Sequence, residues 1–144
     1  MSGIKGSFHA PDIVVICIDG YKDQAWSGRL YHKYQIEPIA FAGSQNLIRR
    51  MGRLYDEIGY PQPGVSLRSF TPQPQRMGSQ AAPVQTEEEM AEHRGEAATF
   101  CIYVRYRQRA TWQGELQHLE SGDCFTFRSE LEMLKLIDSF LPRE

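Results

Sequence analysis

The residues best suited to chemistry stand in matched places. His32 and His118 each close a Trp-x-Gly-x-Leu-x-His stretch, at 26–32 and 112–118. Imidazoles bind metals and move protons near neutral pH. A fold that brought the two together would give them a paired metal or proton-transfer site. No carboxylate stands at the spacing of a third ligand, so neither a metal nor a cofactor is expected. The plainer expectation is two half-buried residues at strand ends. A second group is basic and aromatic: Tyr103, Arg105, Tyr106, Arg107, Arg109 and Trp112. On a strand, Tyr103, Arg105, Arg107 and Arg109 fall on one face. Tyrosines can stack bases while arginines hold phosphates. Arg49, Arg50 and Arg53, on the polar side of a helix, would add to that surface. Against it stand a net charge of -2 and the acids Glu130, Glu132 and Asp138. A strand of alternating Arg and Tyr is more commonly a solvated face with cross-strand ion pairs.

Other candidates carry less. Asp19 and Gly20 follow an apolar run, where an Asp can hold magnesium. No P-loop or second acidic motif accompanies them, and a turn is expected. Trp26 and Trp112 are expected in the core, against a glycine or a helix. One of them could instead serve as a ligand platform. Cys17, Cys101 and Cys124 are odd in number and none shows C-x-x-C spacing. They read as free thiols in a reduced compartment. There is no G-x-S-x-G, no H-E-x-x-H and no supported Cys–His pair, so no reaction is nominated.

The elements that would position these residues repeat along the chain. The Trp-x-Gly-x-Leu-x-His stretches lie 86 positions apart. An apolar run precedes each, around Cys17 and Cys101, at an offset of 84. A Phe and a Ser follow each, with Ser44 and Ser129 at an offset of 85. Residues 13–19 form a continuous β-branched run, as in a central strand covered on both faces. Residues 99–107 alternate. Third strands are expected near 38–42 and 124–127, with a hairpin turn at Ser121, Gly122 and Asp123. Ser44 can cap a helix carrying Leu47, Ile48, Met51, Leu54, Tyr55 and Ile58. Ser129 and Glu132 suit a capping box for a second helix. Counted from those caps, Ile48 matches Met133, Met51 matches Leu136 and Tyr55 matches Phe140. Gly59 and Pro61 would stop the first helix and Pro142 the second.

Two β-β-β-α repeats follow, at about 12–60 and 99–142. A unit of that size buries too little surface to stand alone. The expected fold is therefore one α+β domain over 1–144. It would have one antiparallel sheet, both helices on one face and a pseudo-twofold axis. Residues 64–70 could add a strand. The polar stretch at about 71–96 reads as a linker or insert contributing little core, with a short acidic helix near 86–94.

The 144 residues are 41% hydrophobic and 24% charged, a balance that fits a soluble globular chain rather than a wholly disordered one. No apolar run approaches the roughly 18 residues that cross a bilayer. Residues 1–10 lack the apolar core of a secretory signal. The second repeat resembles a segment of small bacterial proteins of no assigned activity. The matching residues are Arg107, Gln108, Ala110 to Gly114, Phe127 to Glu132, and Leu136 to Asp138. The resemblance covers about a quarter of the chain. It implies a bacterial cytoplasmic protein and carries over no site residue. The expected function is a non-enzymatic binding or regulatory module, acting through a protein partner or through self-association as a dimer. Nucleic-acid binding on the basic aromatic strand is the alternative. An enzyme or metal site at His32 and His118 is the third.

Overall fold

The computed structural model describes residues 12–22, 25–59, 83–108 and 111–141. Their elements run β1 (Val14–Lys22), β2 (Ala25–His32), β3 (Gln35–Ala42), α1 (Ser44–Ile58), α2 (Glu87–Ala91), β4 (Ala98–Gln108), β5 (Thr111–His118), β6 (Cys124–Phe127) and α3 (Glu130–Ser139). The strands form one sheet in the order β3-β2-β1-β4-β5-β6, and every pairing is antiparallel.

The composition of β1 explains its central place. Residues 13–18 are all fully buried, so side chains on both faces of the strand must be covered. On one face Val14, Ile16 and Ile18 pack with Phe100, Ile102 and Val104 beneath α1 and α3. On the other, Ile13, Val15 and Cys17 pack with Cys101 and with Met90 of α2. Fully burying each such aliphatic side chain stabilises the fold by about 1.5–3 kcal/mol. The two faces together make this stretch the anchor of the sheet. In the β1–β4 ladder, Val15 stands opposite Cys101.

Both long hairpins break their register at a bulge. In β1 it falls between Ile18 and Gly20, and in β4 between Val104 and Tyr106. Gly28 lies opposite Ile18 and Gly114 opposite Val104. A methyl on Gly28 would run into the Cys17 carbonyl, and one on Gly114 into the Tyr103 carbonyl. These glycines let the partner backbone approach closely at the bulge.

The helices follow the apolar spacing. Leu47, Met51, Leu54, Tyr55 and Ile58 of α1 are buried, as are Met133 and Ile137 of α3. The N-cap of α1 is Gly43, at φ 90°, with no side-chain cap bond. Ser44 is thus the first helical residue, not the cap. Gly43 takes a backbone conformation that a serine would adopt only with strain. Ser129 does cap α3, its hydroxyl accepting the Glu132 amide at 3.1 Å. The Glu132 carboxylate accepts the amide of Arg128, one residue before the cap. Gly59 ends α1 at φ 71°, donating to the Tyr55 carbonyl.

The polar insert contributes more core than its composition suggests. Thr86 and Glu89 form a capping box for α2, and Gln85, Glu87 and Met90 are buried. Gln85 donates to the carbonyls of His32 and Gln35. Lys33 pairs with Glu87 at 2.6 Å. The end of the insert therefore covers the sheet face that α1 and α3 leave open. The expected strand at 64–70, Pro61 and Pro142 lie outside the described residues.

Candidate functional site

The structure separates the residues that the sequence grouped. His32 lies opposite Val14 and His118 opposite Phe100, with β1 and β4 between their strands. Each imidazole has its own surroundings. The Nδ1 of His32 accepts the Tyr34 amide at 3.1 Å, which leaves the ring proton on Nε2. Burial pushes its pKa down from 6.5 to about 4. His118 stacks on Phe140, with centroids 4.0 Å apart, and its Nδ1 meets the Ser121 hydroxyl at 2.8 Å. Burial lowers its pKa too, against the opposing pull of Glu120 and Asp123. The two histidines share no cleft, so the paired site is not formed. Among the described residues no group of three His, Cys, Asp or Glu side chains is arranged to hold a metal.

The basic aromatic strand is likewise divided. The bulge at Arg105 reverses the alternation of β4. Tyr103 packs with the α2-side cluster, and Arg105 lies over its ring at 5.8 Å. Arg105 forms an ion pair with Glu115 across the β4–β5 ladder. Arg107 emerges on the opposite face, is 8% exposed and pairs with Asp56 of α1 at 3.1 Å. Arg49, Arg50 and Arg53 are exposed on α1, across the sheet from Arg105. Arg109 lies outside the described residues. Asp19 is a bulge residue, and its carboxylate is gripped by Arg29 at 2.9 and 3.0 Å. That grip holds its pKa below the ordinary carboxylate value.

Trp26 and Trp112 are each 5% exposed, as core residues. Their surroundings differ. Trp112 meets the Tyr55 ring edge-on at 5.6 Å. Beside Trp26 a groove of about 510 Å³ opens between Ser44 and the α3 side chains Leu131, Leu134 and Lys135.

A polar cluster gathers instead at the start of β1, beneath α1. Asp12 precedes Val14, which faces Ile102, so the ladder brings it level with Val104 at the β4 bulge. Asp12 is 1% exposed, and among the described residues neither carboxyl oxygen makes a hydrogen bond of good geometry. Burial raises its pKa from 3.8 to about 8. The amides of Asp12 and Val104 and the charges of Arg107 and Lys33 pull the other way without offsetting it. Burial thus favours the protonated form of Asp12. The Tyr55 hydroxyl, fully buried, is also unpartnered. Burial, and then the charge of Asp12, push its pKa well up. The Arg107 guanidinium stacks over the Tyr55 ring at 5.5 Å. Buried polar groups nearly always find partners, and each one left without costs about 1–3 kcal/mol.

Asp12 and Tyr55 were not singled out as site residues by the sequence. A signal for Asp12 was present: an acid directly ahead of a strand covered on both faces has nowhere to hydrate. Tyr55 sits on the apolar stripe of α1, where a buried tyrosine hydroxyl needs a partner.

Fold and cluster together define a mixed α+β domain with one six-stranded antiparallel sheet and a buried acid at one end. Comparison with known proteins found no matching family model, no matching curated protein and no matching solved structure.

Proposed function

We propose that the chain is a binding module that encloses a small polar ligand at Asp12 and Tyr55. One observation carries this: among the described residues, two buried polar side chains close enough for the charge of one to act on the other make no hydrogen bond of good geometry. A stable fold gains nothing from keeping a buried acid unpaired, whereas strained and perturbed groups cluster where ligands are met. Thermal shift tests it, with a panel of small amines, amides, carboxylic acids and sugars. At least one class should raise the melting temperature of the native chain yet leave Asp12→Asn and Tyr55→Phe unmoved. If each compound acts alike on native and variant chains, the binding reading fails.

The module is read as two β-β-β-α units related by a pseudo-twofold axis. In support, equivalent features recur 86 positions apart: the bulges after Ile18 and Val104, Gly28 and Gly114, and the helix caps Gly43 and Ser129. Buried Leu47 and Met51 correspond to Met133 and Ile137 at the same offset. Moving the first cap from Ser44 to Gly43 therefore replaces the helix matches counted from the two serines. Val15 is paired with its own counterpart, Cys101, as an axis through the centre of the sheet requires. The ion pairs correspond with their charges exchanged, Asp19–Arg29 against Arg105–Glu115.

A second reading, self-association, is favoured by the outer strand β3. It has eight residues against four in β6, and Ile36 on it is 57% exposed. A free edge can pair with a second copy, although Glu37 and Pro38 are residues that blunt edges. Sedimentation of the native chain decides: a dimer dispersed by Ala40→Pro supports it, and a monomer at high concentration removes it. Nucleic-acid binding draws little support, because Arg105 and Arg107 face opposite ways and each is paired with a carboxylate.

A further inference from the structure

We propose that residues 83–94 form a strap that opens as one unit while the sheet stays folded, and so gates the access of thiol-reactive electrophiles to Cys17 and Cys101. The two faces of the sheet are covered unequally. Five buried side chains of α1 and two of α3 press onto one face. On the other, α2 buries one apolar side chain, Met90, with Ala91 partly covered beside it. Met90 closes a cluster that holds Val15, Tyr31, Cys17 and Cys101, where both thiols are fully buried. Burial and, after it, the charge of Glu87 push the Cys101 thiol up, as befits a thiol beneath α2. A buried thiol of this kind is inert until it is uncovered.

The other fastenings of the strap are mostly polar and reversible. Val84 donates to the Lys33 carbonyl at 2.6 Å, and Gln85 to the carbonyls of His32 and Gln35 at 2.8 Å. Glu87 pairs with Lys33 at 2.6 Å. At the far end His93 stacks on Tyr31, with centroids 4.0 Å apart. There Arg94 pairs with Glu120 at 3.6 Å, and its carbonyl accepts the Arg29 guanidinium at 2.9 Å. On opening, water replaces each hydrogen bond at a modest net cost, and the Lys33–Glu87 pair recovers its hydration. The exposed Arg94–Glu120 pair holds little. A helix of five residues does not persist alone, so α2 melts when Met90 leaves the cluster. Undocking and melting are thus one event, which makes the opening cooperative. The strap ends at Gly95. A methyl there would run into the Ile18 backbone, and the Ala97 amide donates to the Ile18 carbonyl at 2.8 Å. From Gly95 onward the chain belongs to the sheet.

The test labels the full chain with N-ethylmaleimide in dilute urea. Mass spectrometry follows each cysteine, and tryptophan fluorescence follows global unfolding. Cys124, which is exposed, gives the rate of an open thiol. Cys17 and Cys101 should react more slowly, at comparable rates that barely change with urea, because opening the strap uncovers little surface. Met90→Ala should speed both at least about tenfold, through the buried contacts it removes. Ile137→Val, in α3 on the other face, should lower the urea midpoint of the fluorescence and leave both labelling rates unchanged. Thiols that react only along the tryptophan unfolding curve, and faster in Ile137→Val, are reached by global unfolding, which overturns the strap. Rates indifferent to Met90→Ala, or reaction of Cys101 without Cys17, overturn it as well.

Discussion

Replacing Asp12 with asparagine should stabilise the protein, and by an amount that depends on pH. Folding raises the pKa of this acid from 3.8 to about 8. Between those values the folded chain keeps a proton that the unfolded chain has lost. Stability is therefore greatest below the unfolded pKa and declines as pH rises towards the folded one, the reverse of a salt-bridged aspartate. Each pH unit in this window costs about 1.4 kcal/mol, so at pH 7 holding Asp12 costs about 4 kcal/mol. Asparagine keeps the size and does not titrate. Asp12→Asn should gain about 4 kcal/mol at pH 7 and almost none near pH 4. With a slope of about 2 kcal/mol per molar, the urea midpoint should move by about 2 M. The assay is urea unfolding followed by the fluorescence of Trp26 and Trp112, both buried. His32 titrates in the same range, but in both chains, so its effect drops out of the difference. A difference that stays the same at both pH values would show that burial does not hold a proton on Asp12, as would a less stable variant at pH 7.

Other outcomes bear on the architecture and the histidines. Gly28→Ala and Gly114→Ala should each cost about 1–3 kcal/mol in chemical denaturation, because both force backbone apart at a bulge; a neutral result at either position would break the correspondence. Arg105→Asp and Glu115→Arg should each destabilise alone, and the double variant should recover most of the loss by recreating the order of Asp19 and Arg29; a double variant as weak as the two losses added would contradict the exchange of charges. The ring of His32 should stay neutral down to about pH 4 as the Nε2–H tautomer, read by ¹⁵N NMR; titration near 6.5 would place it in solvent. Acidification from pH 6.5 should therefore draw protons first onto the unfolded chain, so His32 destabilises the fold as pH falls through that window.

Much of the fold was legible because its signals are local. The β-branched run at 13–18, the alternation of β4, the apolar spacing of α1 and the Ser121–Asp123 turn each specify an element. Their order then leaves few ways to form one sheet. The bulges were not legible. One extra residue in β4 changes the face of everything after it, so Arg107 lies across the sheet from Arg105, although period-2 spacing puts them together. Ser44 is a good capping residue, but Gly43 can take positive φ and the chain turns there. His32 and His118 do occupy corresponding strand positions. Two strands lie between them because β1 and β4, not β2 and β5, meet at the centre. The composition of 71–96 concealed Met90, a single apolar residue whose burial depends on the uncovered sheet face it meets. Asp12 escaped notice because its burial comes from the register of β4 and the cover of α1, both distant in sequence.

The binding reading depends on Asp12 being a buried acid whose surroundings favour its protonated form. The most direct measurement is the midpoint of its side-chain carboxyl resonance in the ligand-free chain, followed from about pH 3 to 9. A midpoint of about 8 is expected; one that stays near the ordinary 3.8 would mean that Asp12 is solvated or paired and that burial does not hold its proton.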